Sequence, residues 1–270
     1  MGCLLGARVD GDDRRVTWQG RITRVAALPI GVEWDDFQSL AADPAVKQRA
    51  AAIRAAVGTP YFLLAVDRLD YTKGVLERLR AYDVLLEMHP ECRGRVTLVQ
   101  IGVPTREGAR DYALLRQQIE AEVGRLSQLY GTDSQRPVHY VARAVNRTKL
   151  AAYYLAADVA VVTPLRDGLN LVAKEFVATR ADGDGVLVLS PFAGAAVDLD
   201  GALLANPYEP SVLAEALNKA LCLEPGERRQ RMDHLRAQVV QRDLRWWWSA
   251  FQRAWEEALK PGNATAPAAR

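Results

Sequence analysis

Tyr61-Phe62-Leu63-Leu64-Ala65-Val66 runs directly into Asp67-Arg68-Leu69-Asp70-Tyr71-Thr72-Lys73-Gly74. From Gly74 to position 89, apolar residues recur at helical spacing through Leu76, Leu79, Val84, Leu85 and Met88, and Pro90 follows. A strand-length apolar run, a polar loop ending in glycine and an amphipathic helix make one strand–helix unit. The unit repeats. Residues 96–101 read as a strand, and 108–130 as a long helix carrying Leu114, Leu115, Ile119, Val123, Leu126 and Leu129 on one side. Residues 138–141 form a short strand, and Asn146 is placed to cap a helix over 147–157. A strand at 159–163 leads into Pro164-Leu165-Arg166-Asp167-Gly168-Leu169-Asn170-Leu171-Val172-Ala173-Lys174-Glu175, which opens another helix. Strands at 186–190 and 202–205 and helices at 211–222 and 227–241 complete the alternation. It predicts an α/β fold, a doubly wound, Rossmann-like parallel sheet. Right-handed crossovers then bring the loops at 67–74 and 164–170 to one sheet edge, where such sheets bind their ligands.

Composition agrees with a folded α/β chain. In 270 residues, 49% are hydrophobic and 25% charged, with a formal net charge of +2, so no global field selects nucleic acid or a membrane surface. No apolar run approaches the roughly 20 residues of a membrane span. Residues 1–6 lack the basic leader and apolar length of a signal peptide. Cys3, Cys92 and Cys222 are isolated and show no metal-ligand spacing. These features lead to the expectation of a cytoplasmic protein without a metal or cofactor.

The two loops have complementary chemistry. Arg68 offers a planar fork to two phosphate oxygens and Lys73 a point charge, and both lie in one strand-to-helix turn. Gly168 permits close backbone approach in a tight turn. The N–H groups of Leu169, Asn170 and Leu171 and the Asp167 carboxylate suit sugar hydroxyls, and Glu175 suits a ribose diol. A competing reading makes the first loop a solvated turn, with Arg68 and Lys73 paired to Asp67 and Asp70, and Glu175 an ion-pair partner of Lys174 or an arginine. His89, His139 and His234 are scattered and are assigned no catalytic role. Trp246-Trp247-Trp248, Phe251 and Trp255 form a stripe at helical spacing that reads as core packing.

The strings 66–74, 100–106, 162–175 and Ser190-Pro191-Phe192-Ala193-Gly194-Ala195-Ala196, with Asn206-Pro207-Tyr208 and the Trp-bearing helix, resemble the trehalose-phosphate synthases. These are retaining GT-B glycosyltransferases that join nucleotide-activated glucose to glucose 6-phosphate. The resemblance covers residues from about 20 to 259 and implies the C-terminal, nucleotide-sugar-binding domain of a GT-B fold. It implies that Arg68 and Lys73 bind the donor diphosphate of UDP-glucose. Asp167 and the backbone of Gly168, Leu169, Asn170, Leu171 and Val172 would hold the glucosyl unit, and Glu175 the ribose. Arg106 and Arg147 would face the acceptor phosphate of glucose 6-phosphate. The family uses neither metal nor protein nucleophile.

On this reading residues 1–31 are an edge of the N-terminal domain and 32–59 a linker with a helix. Residues 60–245 form the donor-binding domain, 246–260 the crossing helix and 261–270 a disordered tail. The expected partners are the two substrates and an N-terminal half or a second copy. If that half is absent, the stripe at 246–255 and the segment at 16–28 would be uncovered. A non-catalytic nucleotide-sugar-binding or regulatory module, or a relative with another sugar-phosphate acceptor, remains open on these residues.

Overall fold

The computed structural model describes residues 6–10, 15–104, 110–133 and 135–259. It divides into two units, Met1–Gly31 with Arg242–Arg270, and Val32–Gln241. In the first, the short strands β1 (Arg8–Asp10), β2 (Arg15–Trp18) and β3 (Arg21–Arg24) pair antiparallel in that order. Val25 to Pro29 is irregular, although Arg24-Val25-Ala26-Ala27-Leu28-Pro29 is strand-like in sequence, and the Leu28 carbonyl accepts the Trp247 indole N–H at 3.0 Å. Trp247 belongs to the helix Leu244–Leu259, on which Trp247, Trp248, Phe251 and Trp255 form a ladder of rings with neighbouring centroids 5.8–6.4 Å apart. Its aromatic stripe is not core: Trp248 is 53% and Trp255 60% exposed. Helical spacing puts the rings on one side, but it cannot say whether that side is covered.

The larger unit begins with two helices, α1 (Trp34–Ala42) and α2 (Pro44–Val57), over the segment expected as a linker with a helix. Pro44 follows Asp43, whose carboxylate accepts the Ala45 N–H and starts α2. Phe37, Val46, Ala50 and Val57 belong to the main apolar core.

Alternation then follows the expected order: β4 (Tyr61–Arg68), α3 (Val75–Met88), β5 (Val96–Val103), α4 (Arg110–Tyr130), β6 (Val138–Val141), α5 (Arg147–Ala156), β7 (Val159–Val162), α6 (Leu171–Thr179), β8 (Val186–Leu189), β9 (Leu203–Leu204), α7 (Pro210–Cys222) and α8 (Pro225–Gln241). Asn146 caps α5 as expected, accepting the Lys149 N–H at 2.9 Å. The sheet is parallel throughout, ordered β6-β5-β4-β7-β8-β9. Its faces explain the unbroken apolar runs. Phe62, Leu64 and Val66 point into one core with Ala160, Val162, Leu187 and Leu189, while Leu63, Ala65, Val159, Val161 and Val188 point into the other. Strands covered on both sides have no polar face to alternate with.

The order reverses direction between β4 and β7. From β4 the chain winds outward through β5 and β6, then returns to β7 beside β4 and winds the other way. Ligands bind such sheets at that switch point, beyond the carboxyl ends of the two strands. The segments that emerge there are 69–74 and 163–170. Gly74, at φ +65°, makes their approach possible, because a Cβ there would lie 2.4 Å from the Thr163 carbonyl oxygen. Gly74→Ala is therefore expected to destabilise the fold by about 1–3 kcal/mol, the scale of local backbone strain. A urea unfolding midpoint that falls at unchanged slope would register this loss; an unchanged midpoint would contradict it.

Candidate nucleotide-sugar site

Backbone bonds join the two loops before any side chain is considered. The Thr72 carbonyl accepts the N–H groups of Leu165 (2.8 Å) and Arg166 (3.3 Å). The Asp70 carboxylate accepts from the Thr72 N–H (2.9 Å) and hydroxyl (2.7 Å) and shapes the turn Tyr71–Lys73. Burial pushes the Asp70 carboxyl up, but these bonds and the charges of Lys73 and Arg68 outweigh it and hold it below its usual range.

Side chains then bridge the loops. Lys73 Nζ lies 2.6 Å from Asp167 Oδ2, both largely shielded from water. The Asp167 carboxylate also accepts from Asn170 Nδ2 (3.2 Å) and the Leu169 N–H (3.3 Å). The alternative in which Asp67 and Asp70 absorb the basic residues does not occur. Asp67 pairs with buried Arg78 at 2.6 Å, and Asp70 serves the turn. Arg68 is exposed at the end of β4; among the described residues its side chain makes no hydrogen bond or close ion pair, and its charge acts on Asp70.

In the second loop the left-handed residue is Asn170, at φ +80°, rather than a glycine of the turn. Its side chain accepts the Ala173 N–H at 3.2 Å and caps α6. The N–H groups of Leu171 and Val172 in the first turn lack intrahelical partners, as at any helix start. A Cβ on Gly168 would meet only open space, so this backbone is accessible from the sheet's carboxyl edge. Behind it runs the 191–196 loop. Asp167 N–H donates to the Phe192 carbonyl (3.1 Å), and the Gly194 N–H to the Asp167 carbonyl (3.0 Å). A Cβ on Gly194 would lie 2.1 Å from the Gly168 oxygen.

Glu175 does not pair with its neighbour. Lys174 is buried against Asp198 (3.2 Å), while Glu175 Oε2 accepts the hydroxyl of fully buried Tyr154 at 2.8 Å. Burial pushes the Glu175 carboxyl up, against the Tyr154 bond and the charge of Arg147, and leaves it above its usual range. Arg147 begins α5 and pairs with Glu33 (2.7 Å) and Asp36 (3.1 Å) over the Phe37 ring. Arg106 lies outside the described residues. Tyr154 and Arg78 escape a reading of loops, because each sits on a helix face that otherwise reads as core. Among the described residues no three His, Cys, Asp or Glu side chains group to hold a metal ion. None of their helices is long and apolar enough to cross a membrane.

A cation-bearing loop and a helix N-terminus, joined at the switch point of a doubly wound sheet, make a place suited to a phosphate-bearing ligand. The model for glycosyltransferase family 20 matches residues 2–257, and the chain belongs to that family. It is 44% identical over 245 residues to a trehalose-6-phosphate synthase of Mycolicibacterium smegmatis, covering 90% of this chain and 49% of the relative. A bifunctional trehalose-6-phosphate synthase/phosphatase of Thermoproteus tenax is 42% identical over 231 residues, covering 86% and 32%. Among solved structures, the UDP-forming α,α-trehalose-phosphate synthase of Burkholderia xenovorans in complex with glucose-6-phosphate superposes with a TM-score of 0.89 at 38% identity. The match covers 93% of this chain and 56% of that one. The E. coli protein bound with UDP-2-fluoro glucose gives 0.88 at 36% identity, covering 94% and 56%. The chain thus spans about half the length of the synthases it matches, and its six-stranded parallel sheet is the doubly wound, Rossmann-like α/β fold expected from the sequence.

Proposed function

We propose that this chain is the donor-binding half of an α,α-trehalose-phosphate synthase. In this reading it holds UDP-glucose for transfer, with retention, to glucose 6-phosphate in the cytoplasm, and residues 60–245 are the donor domain. The observation that carries the reading is the junction of Lys73 with Asp167 at the switch point. It supports the reading because it joins a cation suited to phosphate with a carboxylate suited to sugar hydroxyls. Arg68 and Lys73 stabilise the charge that develops on the departing diphosphate. The C1–phosphate-oxygen bond breaks, the acceptor hydroxyl adds on the same face, and its proton passes to the leaving phosphate. Asp167 and the first turn of α6 orient the glucosyl hydroxyls. Glu175, fixed by Tyr154, accepts from the ribose diol. Arg106 and Arg147 are assigned to the acceptor phosphate. For Arg147 this means exchanging the exposed carboxylates Glu33 and Asp36, a surface pairing of small net worth.

The half-length match favours one other reading, a nucleotide-sugar-binding module without turnover. Calorimetry with UDP and UDP-glucose tests the site common to both. Glu175→Gln is expected to weaken both ligands about equally, because the ribose is in UDP itself. Asp167→Asn is expected to spare UDP and to erase the preference for UDP-glucose. Glu175 adds a check through stability. Its carboxyl lies above the unfolded range, so the folded chain holds that proton more tightly, and stability falls as pH rises between the unfolded and folded values. Glu175→Gln should therefore raise the melting temperature at neutral pH. Equal loss of UDP in both variants would refute the division of roles.

A further inference from the structure

Arg78 is wholly buried on the apolar face of α3, among Val75, Leu79, Tyr82 and Leu86. A guanidinium at such a place is costly unless its donors are met. Here each nitrogen has an acceptor. Nη1 donates to Asp67 Oδ2 (2.6 Å) and Gln100 Oε1 (2.7 Å), Nε to Thr163 Oγ1 (3.0 Å), and Nη2 to the Lys73 carbonyl (3.2 Å). Gln100 closes the network by donating from Nε2 to Asp67 Oδ2 (3.3 Å) and the Ile101 carbonyl (3.2 Å). The acceptors come from the carboxyl end of β4, the middle of β5, the residue that follows β7 and the last residue of the turn Tyr71–Lys73. A buried ion pair is weak evidence for stability, since apolar replacements of similar volume are often neutral or better. The arrangement calls for a role in geometry.

We propose that Arg78 is a positioning residue for the donor diphosphate, an inference that rests on the donor-site reading above. It acts in two ways. Its hold on the Lys73 carbonyl fixes the backbone from which Lys73 reaches into the site. By neutralising Asp67, it leaves the charge of adjacent Arg68 for phosphate. Without Arg78, Asp67 keeps only the Gln100 amide as a partner, and its uncompensated buried charge, one residue from Arg68, opposes the binding of an anion.

Inorganic diphosphate and uridine separate this effect from general damage, because they engage opposite ends of the site. Arg78→Lys keeps the charge but loses the fork. Thr163→Val keeps Arg78 but removes the acceptor that orients Nε, and it provides a folded variant if the first does not fold. In variants with a native circular dichroism spectrum, diphosphate affinity by calorimetry should fall at least tenfold for Arg78→Lys and several-fold for Thr163→Val. Uridine affinity by NMR titration should stay within twofold. Unchanged diphosphate affinity, or equal loss of diphosphate and uridine, would overturn the positioning role alone. Failure of the unmodified chain to bind diphosphate would overturn the site assignment and this role with it.

Discussion

Given UDP-glucose and glucose 6-phosphate, the 270-residue chain alone is expected to release UDP at no more than background rate. Adding the N-terminal half of a related synthase should restore acceptor-dependent release. Positioning two reactants in attack geometry supplies roughly 7–11 kcal/mol of a barrier. The described site presents groups suited to a donor, and of the two arginines assigned to the acceptor, Arg147 is occupied by Glu33 and Asp36. One wall of a cleft binds a substrate without aligning it against a second. The check is a coupled UDP assay with and without glucose 6-phosphate, and robust turnover by the chain alone would refute the half-cleft reading.

The second large effect is expected at the diphosphate. Arg68→Ala and Lys73→Ala should each weaken UDP by about 1.5–3 kcal/mol, the range for hydrogen bonds to charged groups, or about ten- to hundredfold. The two variants should differ in how they treat glucose. Arg68 has no side-chain partner among the described residues, so its loss should weaken UDP and UDP-glucose alike. Lys73 is bound to Asp167, and its removal frees that carboxylate. Lys73→Ala should therefore alter the ratio of UDP-glucose to UDP affinity as well as the scale. Calorimetry on both variants with both ligands measures this, and full UDP affinity in both would remove the phosphate assignment.

The fold was legible because its strands are covered on both sides. Runs such as Phe62 to Val66 and Val159 to Val162 leave little choice but a parallel sheet between helices. Legibility failed where identity and environment separate. Alanine-rich 34–57 resembles a connecting segment until Phe37 and Val46 are seen in the core. The tryptophan stripe at 246–255 has core spacing, yet much of it is exposed. Of the site, the sequence locates the two loops and the residue types in them. It does not reveal that Asp67 turns inward to Arg78, that Lys73 crosses to Asp167, or that Tyr154 from α5 meets Glu175. Those pairings depend on contacts between residues 11 to 94 positions apart. The tail 261–270 and Arg106 lie outside the described residues.

The single carbonyl of Thr72, shared by the N–H groups of Leu165 and Arg166, has a consequence for how specificity can change. It pins the two loops to one point, so a shift imposed on either is transmitted to the other. The site cannot be retuned one loop at a time: a substitution that moves the 164–170 turn also moves the 69–74 one. New ligand preferences are then more readily reached through changes of side chain on the pinned loops than through changes in loop length. The pin also means that the loops' conformational freedom is lost during folding, so a ligand at this edge would meet a surface already in register.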